Sequence, residues 1–455
     1  MTDKLKHKQL FLDDYAIESM QGVKRTLHQP DKQVPVLCAD VDKGQFAVQS
    51  RNTPQWNPEK GLWEWFYWAL YRIPPFGHRR ITERRVCCYA TSTDLIHWDK
   101  PSLGLYEWEG STDNNICFPP EFGELDDWGN YRFLYHVYRD ENEADPSRRY
   151  KGMLDHADRW LHVSPDGIEW TKLDIPPIPS EDESHFFFDE TTKQYTLTHK
   201  LKTEWGRSVW MSRSSNFEDW SEPVLVMHTD EVDQENRRKR IDAVRADPNY
   251  LAPPLFDGVD YIAETYQMAV MPYEGLYVGF PLILNPSATI PPPYGNFTAL
   301  NQTELAVSRD LLEWERVADR ALFLEIDPWD GVSFNTGQIA PVGRPIIKDN
   351  EIWVFHIGYR YRGPEEFYKA AGHDCEFEVG AMQLAKLRLD GFVSMDAKEE
   401  GEIVTKPFLG SGDLHVNAEA SNGQVAVEIL DAESMVLLEE HSGTFTGDSI
   451  DAVLA

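Results

Sequence analysis

Three stretches of this sequence place carboxylates beside apolar or aromatic runs. Residues 10–15 read LFLDDY, with Asp13 and Asp14 inside an apolar segment. Residues 181–195 read EDESHFFFDETTKQY, with Asp182 and Glu183 just ahead of three phenylalanines. Residues 273–279 read YEGLYVG, with Glu274 between aromatics. Burying an ionised carboxylate without a partner is costly, so each placement asks for a reason. One reason is acid–base work, in which one carboxyl protonates a leaving oxygen while another attacks or activates water. A carboxyl among aromatics, such as Glu274, is expected to have a raised pKa, as an acid working near neutrality needs. Each stretch also has a plainer reading. Asp13 and Asp14 can be solvated at a strand end, Asp182 and Glu183 can form the turn before a hairpin, and Glu274 can sit on an outer rim. The chain has 76 acidic residues, so composition does not choose between these readings.

Other polar groups lie in or beside strand-like text: Arg51, His185, His199, Trp205, Arg207 and Glu304. Trp205 can stack on a sugar-like face, and Arg207 can hold a hydroxyl or a carboxylate. His356, in VFHIGY, reads as a core histidine.

The elements that must position these groups are short strands. Runs rich in aromatic and β-branched residues cover 62–71, 86–91, 131–138, 186–188, 195–199, 261–269, 351–359 and 381–389, with Pro, Gly, Asp and Asn clusters between them. Such spacing predicts an all-β sandwich, barrel or propeller. Residues 10–15 read as an apolar N-terminal strand. The one helical candidate, residues 230–244 (DEVDQENRRKRIDAV), is polar and is expected on a rim. A unit also recurs: STDLIHW at 92–98, SPDGIEW at 164–170, SRDLLEW at 308–314 and, more loosely, SSNFEDW at 214–220. Ser ends one strand, Asp or Asn bonds the turn backbone, and Trp opens the next strand and packs its ring between sheets. The unequal spacing of the copies suits propeller blades with inserted loops better than a tight solenoid.

A net charge of −32 repels phosphate backbones and anionic lipids, so nucleic acid and membrane surfaces are poor partners. Solubility is the plainest reading of that charge. The first fifteen residues contain no apolar signal region, and no run of about 18 apolar residues is present. Cys38, Cys87, Cys88, Cys117 and Cys375 are scattered and odd in number, which points to reduced thiols and a cytoplasmic setting. No Cys/His spacing suits zinc, and no metal is expected.

The motifs carry a resemblance. YATSTDLIHW resembles a strand pair of the five-bladed propeller glycosidases of glycoside hydrolase families 32 and 43. EDESHFFFDETTKQY resembles a strand–turn–strand unit of family 43, and YEGLYVG resembles another segment of it. The likeness runs over about residues 9–389 as scattered short motifs. It implies an all-β chain: a five-bladed β-propeller catalytic domain over residues 1–388, then a small, shortened C-terminal β-sandwich over 389–455. It implies hydrolysis of a glycosidic bond in an oligo- or polysaccharide, furanosides included, with no cofactor. By this resemblance Glu274 is the acid, Asp182 an orienting carboxylate and Asp14 the base or nucleophile, with Asp13, Arg51, His185, Trp205, Arg207 and Glu304 lining the sugar. There is one departure: the segment nearest the family 32 nucleophile motif is WNPEKG at 56–61, with Asn57 where an aspartate would stand, and it reads as a turn. Two alternatives stay open. A glycoside phosphorylase would need Lys200, Arg207 and Arg245 to converge on phosphate, and a propeller can bind carbohydrate without catalysis.

The cysteine pattern generates a direct test. Thiol titration of the unfolded protein without reductant is expected to return five free thiols. A count of three or one would contradict the reading.

Overall fold

The computed structural model describes residues 7–72, 83–119, 133–154, 157–258, 260–290, 297–362, 365–373, 378–410, 412–438 and 442–454. Strands dominate, as the aromatic and β-branched runs predict. Among the described residues there are two α-helices, and no helix is long and apolar enough to cross a membrane. Residues 351–359 form a strand over that same span, and residues 62–71 fall within the strand Leu62–Arg72.

The antiparallel pairings fall into five runs in chain order. The first is Gln45–Gln49, Leu62–Arg72 and Glu83–Ser92. The second is Leu134–Arg139, Tyr150–Leu154, Trp160–Ser164 and Thr171–Lys172. The third is Ser184–Asp189, Gln194–Thr203, Gly206–Ser214 and Val224–Met227. The fourth is Glu264–Tyr273, Leu276–Thr289, Ala306–Ser308 and Glu315–Arg316, with Phe297–Glu304 on the far half of its long second strand. The fifth is Gln338–Pro341, Glu351–Tyr359 and Gly380–Arg388, completed by Asp31–Leu37 from the start of the chain. Parallel bridges at Ala47↔Gly380 and Asn301↔Gln338 make the first, fourth and fifth runs one continuous fifteen-stranded sheet.

Side-chain alternation explains how these runs pack. In LWEWFYWALY, Trp65, Tyr67 and Ala69 point to one face and Phe66, Trp68 and Leu70 to the other, since successive strand residues face opposite ways. The first set joins Trp353, Phe355 and Leu384 of the fifth run in one core. The second joins Tyr135, Val137 and Tyr150 of the second run in another. Both faces are buried, so residues 65–70 of the strand are apolar or aromatic without a break. Three further cores lie between the second and third, third and fourth, and fourth and fifth runs. Each core thus joins successive runs, and one joins the last to the first.

The repeated unit has one geometry in all four copies. The Asp or Asn side-chain oxygen accepts two backbone N–H bonds at 2.8–2.9 Å. The Trp Nε1–H donates at 3.0–3.2 Å to the carbonyl three residues earlier. That earlier residue, Leu95, Gly167, Phe217 or Leu311, has a positive φ of 67–81° and is buried. All four units follow the third strand of a run. The fifth run takes its outer strand from the N-terminal segment, so it has no such turn and no copy of the motif.

The structure corrects two expectations. Residues 10–15 are a loop, and the first strand is Ile17–Leu27. Leu10 and Leu12 alternate into the core between the fourth and fifth runs, which gave the segment its strand-like pattern. The helix forms as expected but spans Glu231–Ala246, with Asp230 as its N-cap in a capping box with Asp233. After residue 389, Val393–Thr405 pairs with Ile17–Leu27, and His415–Val427 pairs with Gly443–Val453. The first of these pairings ties the two ends of the chain together.

The Trp seats give a stability prediction. A Cβ on Gly152 would stand 2.4 Å from the Trp170 ring, and one on Gly279 2.6 Å from the Trp314 ring. Gly152→Ala and Gly279→Ala are each expected to destabilise by about 1–3 kcal/mol through overpacking, measured by urea unfolding. Unchanged stability in both would contradict this seating of the rings.

Candidate active site

The first strands of the third and fourth runs begin with carboxylates. Asp182 and Glu183 precede Ser184–Asp189, and Glu264 opens Glu264–Tyr273. Three arrangements separate their roles.

Glu183 is buried and accepts a two-pronged hydrogen bond from Arg51, Nε at 2.5 Å and Nη2 at 2.7 Å. The Tyr135 hydroxyl donates to the same carboxylate at 3.2 Å. Burial alone would raise the Glu183 pKa, but the facing Arg51 guanidinium overrides it and holds the carboxyl below its ordinary range. This links the first and third runs across the second. Arg159 lies 4.1 Å over the Tyr135 ring and donates to Ser184 Oγ at 2.9 Å and to the carbonyls of Glu181 and Asp182 at 2.9 and 3.0 Å. His136 spans the same corner, with Nε2 2.7 Å from Ser184 Oγ and Nδ1 3.2 Å from the Arg51 carbonyl. The segment carrying Asp182 and Glu183 is therefore pinned on both sides.

Asp182 keeps 27% of its side chain exposed and pairs with Lys200, which is 1% exposed. The Tyr266 hydroxyl donates to it at 3.4 Å, and the Lys200 ammonium lies 4.0 Å over the Tyr266 ring. Burial pulls the Lys200 pKa down, but Asp182 beside it raises the pKa above its ordinary value.

Glu264, 12% exposed, pairs with Arg207 and accepts that residue's backbone N–H at 2.9 Å. Gly206, at φ +78°, makes room: a Cβ there would stand 2.4 Å from Glu264 Oε1. Arg207 and Lys200 both face Tyr266, so Asp182 and Glu264 flank one tyrosine.

The expected site residues divide on this geometry. Arg51, Asp182 and Arg207 gather around Tyr135 and Tyr266. Asp14 is 74% exposed and pairs with Arg25 at 2.5 Å. Asp13 pairs with Arg309 in the SRDLLEW turn. Glu274 sits in the two-residue turn between Glu264–Tyr273 and Leu276–Thr289, with φ +48°, and accepts the Lys8 backbone N–H at 3.1 Å. The strand Glu264–Tyr273 is ten residues long; at about 3.3 Å per residue it puts Glu274 roughly 30 Å from Glu264. Asp14, Asp182 and Glu274 therefore do not form one cluster. Glu304 is wholly buried between Arg240 and Arg316 and ties helix Glu231–Ala246 to the fourth run. Trp205 is half-buried and stacks on His228 at 5.4 Å. His185 is buried, and among the described residues neither ring nitrogen has a hydrogen-bond partner. Glu264 carried no distinguishing signal in AETYQMAV beyond its place at a strand start; its partner Arg207 lies 57 residues away.

No known protein family matches the chain, and no curated protein matches it. Several solved structures are similar to it. The catalytic domain of a Coprinopsis cinerea α-L-arabinofuranosidase of glycoside hydrolase family 62 is 13% identical, covering 79% of this chain and 97% of that one at a TM-score of 0.42. The β-fructofuranosidase of Schwanniomyces occidentalis is 14% identical, covering 89% and 70% at a TM-score of 0.43. An N-acetylgalactosamine deacetylase from F. plautii is 14% identical, covering 82% and 97% at a TM-score of 0.43. Glycoside hydrolases, which the sequence motifs resemble, are thus among the structures similar to this chain. At these TM-scores function has to be read from the side chains.

The histidines supply a pH signature. Burial pushes His185 and His356 down to about 3, His199 down to about 4, and His136 well below its ordinary range. The unfolded chain takes up protons near pH 6.5, whereas these folded sites stay neutral. Stability is therefore full above about pH 6.5 and falls below it, by up to about 1.4 kcal/mol per pH unit per histidine. The urea midpoint is expected to drop between pH 7 and pH 5, and a flat profile would contradict this burial.

Proposed function

We propose that the protein is a glycoside hydrolase on a five-bladed β-propeller, residues 1–388, followed by a small C-terminal β-module, residues 389–455. Each of the five antiparallel runs is a blade, and Asp31–Leu37 closes the ring as the outer strand of the last. The five cores between successive runs support this reading. In such a ring the first strands of the blades line the axis, and groups at their starts share one end of it.

The observation that carries the function is the pair of carboxylates, Asp182, 27% exposed, and Glu264, 12% exposed, whose cations face Tyr266 at that end. Glycosidic cleavage needs one carboxyl to protonate the leaving oxygen and one carboxylate to attack the anomeric carbon or deprotonate the water that does. The cations assign the roles. Lys200 is buried against Asp182, a cation beside the carboxylate, which suits the base or nucleophile. Arg207 is 22% exposed, so a substrate can displace it from Glu264 and leave that carboxyl free to carry the proton. Glu183 is fully engaged by Arg51 and Tyr135 and positions the pair. The substrate is a carbohydrate glycoside, with Trp205 at the rim of the site.

The test is a screen of aryl glycosides and plant or algal polysaccharides, followed by variants on whichever substrate turns over. Glu264→Gln is expected to lose about 10²–10⁴-fold in kcat on poor leaving groups and much less on activated aryl glycosides. Asp182→Asn is expected to lose at least as much on both. Wild-type turnover in both variants would overturn the assignment.

A further inference from the structure

The positive charges at this site exceed its carboxylates. Three cations face the Tyr266 ring: Lys200 at 4.0 Å, Arg207 at 5.7 Å and Arg362 at 6.0 Å. Lys200 is matched by Asp182 and Arg207 by Glu264. Arg362 is not matched. Among the described residues its guanidinium forms no ion pair, and its Nε is buried with no hydrogen-bond partner. The hydrogen bonds at Arg362 are made by its backbone, whose N–H and carbonyl both meet the Tyr368 hydroxyl, at 3.3 and 3.4 Å. A buried guanidinium nitrogen with nothing to donate to is unfavourable. The chain has a net charge of −32, so carboxylates are abundant, yet among the described residues none pairs with the Arg362 guanidinium.

We propose that Arg362 is the recognition residue for an oxyanion on the ligand, so that the site selects an anionic glycoside. The planar guanidinium donates in a fork that matches a carboxylate or phosphate oxygen pair. Lys200 adds its field without being free to bind, because Asp182 holds it, while Arg207 starts out paired with Glu264. The simplest source of the anion is the carboxylate of a uronic acid. Inorganic phosphate, acting as the attacking group in place of water, presents the same chemistry. This inference rests on the glycosidase reading for its substrate class, but its anion site is testable without turnover.

The experiment uses the full chain and the variants Arg362→Gln and Arg362→Lys, with thermal unfolding to show that both fold. Calorimetric titration with glucuronate, galacturonate and inorganic phosphate is run beside turnover of matched aryl hexuronides and hexosides, with and without phosphate. Binding of a uronate to the wild type, weakened about 10- to 100-fold in Arg362→Gln and partly kept in Arg362→Lys, supports the proposal. So does a hexuronide KM raised to the same extent with kcat and hexoside turnover unchanged. Binding of phosphate instead, lost in Arg362→Gln, supports the anion site and names its source. Absence of binding by all three anions, or equal binding by wild type and Arg362→Gln, overturns it. If no glycoside is cleaved under either condition while anion binding still depends on Arg362, the hydrolase reading falls and the anion site stands.

Discussion

The site depends on the buried ion pair between Arg51 and Glu183. Two charges removed from water are unfavourable unless each is met by good geometry, and this pair is two-pronged, with a tyrosine hydroxyl added on the carboxylate side. Its value lies in position rather than net stability. It joins residues 132 apart in the chain, from the first and third runs, across Tyr135 of the second. With Glu183 held in this way and Arg159 gripping the neighbouring carbonyls, Asp182 has little freedom left. Support of that kind suits the role proposed for Asp182, since small misplacements of a reacting group are costly.

The periphery uses a different device. The Ser–Asp–Trp turn satisfies its own backbone, buries a residue in the left-handed region and lets the Trp ring close over the sheet. Because the hydrogen bonds of its Ser, Asp or Asn and Trp are local, the same unit can be reused wherever a third strand gives way to a fourth. The fifth run breaks the pattern because the chain's beginning and its later part meet there. The link between sheet closure and motif count is physical: a turn exists only where the chain itself continues.

This contrast explains what could be read from the sequence. The strands around Trp65 and Trp353 and the four turns rest on local periodicity and local hydrogen bonds and stand where the pattern puts them, and the helix forms there with its start moved to Glu231 and its end to Ala246. The carboxylates do not follow local texture. Asp13 sits in a segment whose alternation is real but belongs to a loop, and Glu274 has aromatic neighbours only because a hairpin turn falls there. Glu304 is claimed by two arginines from elsewhere in the chain. Of the groups in the proposed site, Asp182 was legible as a candidate because it adjoins a phenylalanine run, and Arg51 and Arg207 because they lie beside strands. Glu264 was not, since Arg207 alone distinguishes it among 76 acidic residues. Long-range pairing decides which carboxylates a substrate can meet, and one sequence does not print that pairing.

The most direct test of this account is a double-mutant cycle on the central pair, with Arg51→Met, Glu183→Leu and the double variant compared by urea unfolding. Each single change leaves a buried charge without its partner and is expected to cost about 3–5 kcal/mol, with the double variant costing far less than the sum. Additive costs, with no coupling between the two positions, would show that the pair does not hold the site together.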